Sequence, residues 1–329
     1  MAPPSGAAMM NDNAMTQARK LIPVSFFGMA VGSLAWGHAW RAAAGLWVMP
    51  DWLPQLAAVL GLALWLALML AYARKWLAHS ALAQQELGHP VMSAMAALVA
   101  VSTLLAAITL KAWLPQLAWG LFVLALLLLF VQGLWWVGRF WQGTSPAGSL
   151  LASAYLPGVA QNLVAATAAA SFGHEALAAL FFGAGVLSWL AMESLVMHAA
   201  AQSLPPPQRP LLGIQMAPPV VAGLAYVSIV PGPPDLLAKM LLGYGIYQGL
   251  LALRLLRWSG AGGFAPSHWA FSFGVMALST LTLQFAQRSP DEPLWQILAP
   301  VFFVVANAVM ALLLGRTLML ARQGRLLPS

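Results

Sequence analysis

Apolar runs of roughly twenty residues, long enough to cross the hydrocarbon core of a bilayer as a helix, recur along the chain between short stretches of charge, Pro or Gly. Ten helices are predicted, over about 21–42, 54–78, 90–110, 114–138, 151–172, 175–198, 210–230, 235–257, 267–287 and 294–321. Their connectors are short, so neighbours run antiparallel. The runs fall into two kinds. Even-numbered ones, such as the stretch Val123–Val131, are apolar on every side, as a lipid-facing helix must be. Odd-numbered ones carry Pro, Gly, hydroxyl and amide residues: Pro23, Ser25, Gly28 and Gly32 in the first, Ser93, Ser102 and Thr103 in the third. Pro157, Gln161 and Asn162 mark the fifth, Gln215, Pro218 and Pro219 the seventh, Ser272, Ser279 and Thr280 the ninth. Polar groups in hydrocarbon are costly unless they face protein or water. The pattern therefore predicts an all-α integral membrane fold of ten transmembrane helices, five inner pore-lining helices ringed by five outer ones.

An internal repeat supports the pairing. Trp-Leu-Pro-Gln-Leu-Ala occurs at Trp52–Ala57 and again at Trp113–Ala118, 61 residues later, each copy opening an even-numbered run. Carried forward, the same offset lands near Glu175, Asp235 and Trp295, each again at the start of an even run. The unit is a helical hairpin repeated five times in tandem. The organisation that follows is a disordered N-terminal tail over 1–20, a transmembrane domain over 21–322 and a C-terminal tail over 323–329.

Composition excludes an ordinary soluble enzyme. Of 329 residues 61% are hydrophobic and 7% charged, against globular norms of roughly 45–50% and about 25%. The positions of the charges set an orientation. Eleven of the fifteen cations (Arg19, Lys20, Arg74, Lys75, Arg139, Arg209, Arg254, Arg257, Arg316, Arg322, Arg325) fall on the side of the N-terminus, and Arg41, Lys111, Lys239 and Arg288 on the other. Five acids, Asp51, Glu175, Asp235, Asp291 and Glu292, lie opposite the basic side. The positive-inside bias then places both termini in the cytoplasm. A net charge of +7 arises from these loop cations and does not call for nucleic acid.

Little chemistry is present. There are no cysteines, so thiolate catalysis, disulfides and thiolate metal sites are out. The six histidines are scattered with no metal-ligand spacing, and no glycine pattern follows a strand, so no cofactor is expected. Within the runs Glu193 and Lys239 are the charged residues of note, both on even helices, and a snorkelling or structural pairing role is open to each. The inner helices hold no ionised side chain over their central turns. Such a pore selects by diameter, dipoles and apolar constriction.

Several strings carry a family resemblance: Ile22-Pro23-Val-Ser-Phe-Phe27-Gly28, Ser153-Ala-Tyr155-Leu-Pro157-Gly-Val-Ala-Gln161-Asn162, Leu180-Phe181-Phe182-Gly183-Ala-Gly185, Leu237-Ala-Lys239 with Gly243-Tyr244-Gly245, and Trp269-Ala-Phe271-Ser272-Phe273-Gly274. Over about 20–322 the chain resembles the tellurite-resistance/dicarboxylate transporter family, to which plant slow anion channels are related. The resemblance implies a homotrimer in which each protomer holds its own pore, and an aromatic gate on the ninth helix that corresponds to Phe273. Phe271 and Phe273 sit about 200° apart on a helix, so only one can face a lumen.

The expected function is a channel passing small monovalent inorganic anions, with Phe273 as the plug. Pro23, Gly28, Ser102, Pro157, Gln161, Asn162, Gln215, Pro218 and Ser272 are the candidate pore-lining residues, and helix packing is the competing role for each. The family's names also suggest a proton-coupled C4-dicarboxylate carrier or an exporter of tellurite- or sulfite-type oxyanions. A carrier normally needs a charged or titratable group near the membrane midplane, and the inner helices lack one. A membrane enzyme has no clustered His, Asp or Glu to work with.

Overall fold

The structure, a computed structural model, describes residues 21–146, 148–202 and 204–327, and these are helical with no strand among them. The expected N-terminal tail, 1–20, lies outside the described residues, as do the last two positions of the C-terminal tail. Eight helical segments are long and apolar enough to cross a membrane: Trp52–Ala78, Met92–Leu110, Pro115–Trp141, Glu175–Ala200, Pro206–Ile229, Leu236–Gly262, Pro266–Arg288 and Pro293–Arg322. Each coincides with a predicted run to within a few residues. The chain is a multi-pass helical membrane protein.

The other two predicted runs are helical but fall short of that standard. α1 (Phe27–Ala44) is led in by a tight 3-10 turn, Val24–Phe26, and its second half carries His38 and Arg41. The fifth run is broken into a 3-10 turn, Ala152–Ala154, a π-helical segment, Leu156–Ala160, and α6 (Gln161–Ser171). Pro157 explains the break, because it lacks an N–H and its ring collides with the preceding turn. One helix, α3 (Ser80–Gly88), was not expected; it sits in the connector after α2 (Trp52–Ala78).

Burial alternates along the chain. Over their most apolar windows, Met92–Leu110, Pro206–Ile229 and Pro266–Arg288 are 72–78% buried, whereas the other five long segments are 22–28% buried. α1 and α6 are also mostly buried. The exposed surface of the other five is apolar: Leu70, Val131, Leu180, Leu253 and Val304 are each well over half exposed. Water would penalise such a surface and hydrocarbon does not.

The buried segments are mutual neighbours. α1 packs on α4 (Ala97–Leu110) and on α10 (Ala270–Arg288); α6 packs on α4 and on α8 (Ala217–Ile229), which in turn packs on α10. Each also packs against the exposed helix that follows it: α1 on α2, α4 on α5 (Pro115–Trp141), α6 on α7 (Glu175–Ala200), α8 on α9 (Leu236–Ser259) and α10 on α11 (Pro293–Arg322).

Small residues permit these approaches. A Cβ on Gly37 would lie 3.2 Å from the Ala58 backbone, and one on Gly61 3.1 Å from the Ser33 and Leu34 backbone, so α1 and α2 nearly touch main chain to main chain. Gly32 faces Ser272 on α10, and Gly245 faces Val220, so these glycines serve packing. Polar staples add direction: Asn307 Oδ1 on α11 accepts from the indoles of Trp36 (2.9 Å) and Trp40 (3.0 Å) on α1. At the entry to α9, Asp235 caps the helix by accepting from the Ala238 N–H at 3.0 Å; this bond and the Tyr226 hydroxyl hold its carboxyl below the usual carboxylate range.

Candidate pore and its aromatic residue

Two cavities open among the buried segments. The first, about 890 Å³, lies toward the start of α1 and is walled largely by apolar side chains, including Phe26, Met95, Leu98, Leu211, Ile214 and Trp269. Its rim holds His89, Gln208 and Arg325, the last carried by the chain just after α11. The second, about 540 Å³, lies toward the opposite end of α1 and is more polar, lined by His38, Arg41, Thr167, Ser228, Thr280 and Gln287 among others.

Phe273 is the one described residue that lines both. The geometry of α10 explains this. Ala270, one turn earlier, lines the first cavity only, and Ala277, one turn later, the second only. Positions three and four apart share a helix face, so this face bears a single bulky ring between two methyl groups. Phe271 points elsewhere, against Gly213, where a Cβ would meet its ring carbons at 2.7 Å.

The other candidate residues divide. Pro23, Gly28 and Pro218 line the first cavity. Ser102, Pro157, Gln161, Asn162, Gln215 and Ser272 line neither. Ser102 Oγ donates to Val99 O at 3.1 Å and Ser272 Oγ to Trp269 O at 2.6 Å, both fully buried. Gln161 Nε2 donates to Gln132 Oε1 at 3.0 Å and reaches Ala97 O at 3.4 Å. Asn162 Nδ2 donates to Gly158 O at 2.7 Å, back onto the π-helical segment. The Pro157 carbonyl lies 3.0 Å from where a Cβ on Gly133 would be, so the break packs on α5. Gln215 Nε2 lies 3.8 Å from Met197 Sδ, and its Oε1 is buried without a partner. In their observed rotamers these polar groups tie buried helices to themselves and to their neighbours.

A family model described as voltage-dependent anion channel, SLAC1, matches residues 22–318. The chain belongs to this family. Among curated relatives, a protein of Haemophilus influenzae named tellurite resistance protein TehA homolog is 31% identical over 306 residues, 92% of each chain. The S-type anion channels SLAH4 and SLAH1 of Arabidopsis thaliana are each 31% identical over shorter stretches, 41% and 40% of this chain and 38% and 35% of their own. Membership in the SLAC1 family identifies the chain as one of a group of anion channels and transporters.

Two features of this SLAC1-family chain escaped sequence reasoning. Arg41 lines the second cavity, although its place at the end of a predicted helix made it look like a rim charge. Glu193, on the exposed helix α7, is not paired with a loop cation. It accepts from the Tyr155 hydroxyl (2.6 Å), the Trp189 indole (2.8 Å) and the Tyr244 hydroxyl (2.8 Å), and Gln248 Nε2 donates to the Tyr244 oxygen at 2.9 Å. Tyr155 in turn lines the first cavity. Spacing along the chain could have paired Trp189 with Glu193, one helical turn apart; the two tyrosines come from other helices. Lys239 is exposed.

Proposed function

We propose that the chain is an anion channel of ten transmembrane helices in five tandem hairpins, whose two cavities are the halves of one pore and whose plug is Phe273. The observation that carries this is the position of Phe273 between cavities that share no other described residue. An aromatic ring across a narrow apolar neck blocks it sterically and by dewetting. The apolar wall of the first cavity suits weak, transient contact with small monovalent anions, because conduction needs sites an ion can leave. The transmembrane domain spans 21–322 in this reading, both termini are cytoplasmic, the membrane is the cell inner membrane, and three copies associate with one pore each. The excess of cations on the side of the N-terminus supports the orientation.

Electrophysiology tests the channel directly. Phe273→Ala in planar bilayers should give large anion currents at all voltages where the parent is nearly silent; a variant as silent as the parent would remove the plug.

One observation favours a second reading, a proton-coupled carrier. Glu193 is a membrane-embedded carboxylate connected to the first cavity through the Tyr155 hydroxyl. In that case uptake of a dicarboxylate into proteoliposomes would follow an imposed pH gradient and Glu193→Gln would uncouple it, with no unitary conductance in either form.

A further inference from the structure

The second cavity is one-signed in charge. Arg41 stands exposed on its wall, and among the described residues neither Asp nor Glu lines it. The one ion pair among the described residues, Lys75 with Glu86, lies elsewhere. An Arg41 N–H donates to Thr109 O at 3.3 Å, which fixes the guanidinium against α4 without neutralising it. Its place in the last turn of α1 favours a cation there. At the rim, Lys111 Nζ donates to Ser171 O and lies 5.4 Å from the Phe172 ring centroid, adding a second positive charge beside a residue of the same wall.

Three hydroxyls of the wall already spend their protons on their own helices. Ser228 donates to Leu224 O (2.7 Å), Thr167 to Leu163 O (3.2 Å) and Thr280 to Met276 O (2.9 Å), each back into its own helix. Their single protons are thus engaged. His38 is engaged too. Its Nε2 lies 2.8 Å from Thr109 Oγ1, whose own proton goes to Leu105 O at 2.8 Å, so the imidazole is the donor. Gln287 Nε2 donates to Ala42 O at 2.5 Å. Arg41 is left as the wall residue with both a full charge and further N–H groups beyond its bond to the wall.

We propose that Arg41 is the selectivity determinant of this pore: a fixed cation that concentrates small anions in the second cavity, against Phe273, and keeps cations out. The proposal deepens the channel reading and rests on it for flow, while the charge of the cavity is testable without flow.

The chain has no cysteine, so Ser228→Cys supplies a single reporter thiol on the cavity wall. Its rates of modification by an anionic and a cationic methanethiosulfonate are compared with Arg41 present and in Arg41→Gln and Arg41→Lys. At about 10 mM salt Arg41→Gln should lower the anionic-to-cationic rate ratio about threefold, as expected for one charge acting over roughly 10 Å of water with a screening length of about 30 Å. In about 1 M salt, where the screening length is about 3 Å, the difference should vanish. Arg41→Lys should keep the parent ratio. An unchanged ratio at low salt, or a thiol that neither reagent reaches, would overturn the proposal. The parallel arm uses the Phe273→Ala channel, in which adding Arg41→Gln should lower the anion-over-cation permeability ratio about threefold or more, read from reversal potentials in a salt gradient. A Phe273→Ala channel without current overturns the channel reading and leaves the thiol rates to decide Arg41; current with an unmoved reversal potential overturns Arg41 alone.

Discussion

Tyr155 donates its hydroxyl to Glu193 Oε2 at 2.6 Å, joining the broken fifth run to the exposed helix α7 through a carboxylate that Trp189 and Tyr244 also serve. Three donors on one membrane-embedded carboxylate make the removal of any partner asymmetric. Tyr155→Phe takes away one of three bonds and should cost about 1.5–3 kcal/mol, as for hydrogen bonds to charged groups. Glu193→Ala strands all three donors and should cost more, while Glu193→Gln retains an acceptor and falls between. Thermal unfolding in detergent, followed by the loss of monodisperse protein, ranks the three. An order with Glu193→Ala mildest would mean that the carboxylate is not the hub.

The Gln132–Gln161 pair tests whether amides of the broken run are structural. Gln161 is fully buried, donates to Gln132 Oε1 at 3.0 Å, and keeps its own Oε1 without a partner; Gln132 Nε2 in turn donates to Ser93 O at 3.1 Å. Gln161→Leu leaves Gln132 without its donor and Gln132→Leu leaves Gln161 without its acceptor, so each single change should cost about 1–3 kcal/mol. The double change removes both partners and should cost less than the sum of the singles. Single-channel conductance in the Phe273→Ala background should stay within a factor of about two, because neither residue lines a cavity. A large change in conductance would return Gln161 to the pore.

Apolar run length made the long helices legible, and the concentration of Pro, Gly and hydroxyl residues marked the segments that the fold buries. The hydroxyls are less legible at finer scale. Ser102 and Ser272 look like pore residues because they are polar on buried helices, but a serine can donate to a carbonyl three or four residues back, and the choice between that bond and a lumen is a matter of rotamer. Arg41 was hidden for a different reason. Charge counting assigns a residue at a helix end to the rim, whereas the cavity reaches down to it. α3 is far shorter than a membrane span and leaves no run-length signal, and its Glu86 gains meaning only beside Lys75.

That ion pair sets where the chain enters the first buried helix. Lys75 Nζ lies 2.8 Å from Glu86 Oε1, with the side chains 5% and 14% exposed. Lys75 also donates to Ile22 O at 3.1 Å, and Glu86 Oε1 accepts from the Val24 N–H at 3.2 Å, so both ions grip the backbone on either side of Pro23. Lys75→Met strands a buried carboxylate and should cost about 3–5 kcal/mol. Lys75→Met with Glu86→Leu should recover much of that loss, since an apolar pair of similar volume often replaces a buried ion pair at little cost. Stability in about 1 M salt should match that at low salt, because the pair is shielded from solvent ions. A single variant as stable as the parent would show that the entry is held by packing alone.

Phe273 yields a prediction that depends on size rather than on the presence of a ring. Ala270 and Ala277 flank it on the same face and open into different cavities, so the side chain at 273 is the bulk on that face between about 890 Å³ and about 540 Å³ of space. If bulk is the barrier, conductance should rise as volume falls: Phe273→Trp closed, Phe273→Leu slightly leaky, Phe273→Val larger and Phe273→Ala largest. Dewetting gives the series its shape. A narrow apolar neck stays dry until it is wide enough to hold a continuous file of water, so the rise should be a step between Leu and Ala and not a straight line. Phe273→Ser discriminates further, since its small polar side chain wets the neck and should conduct at least as well as Phe273→Ala. Single-channel recording of the five variants in one chloride solution checks the order. Equal conductance in Phe273→Leu and Phe273→Ala, or an open Phe273→Trp, would place the barrier elsewhere along the pore.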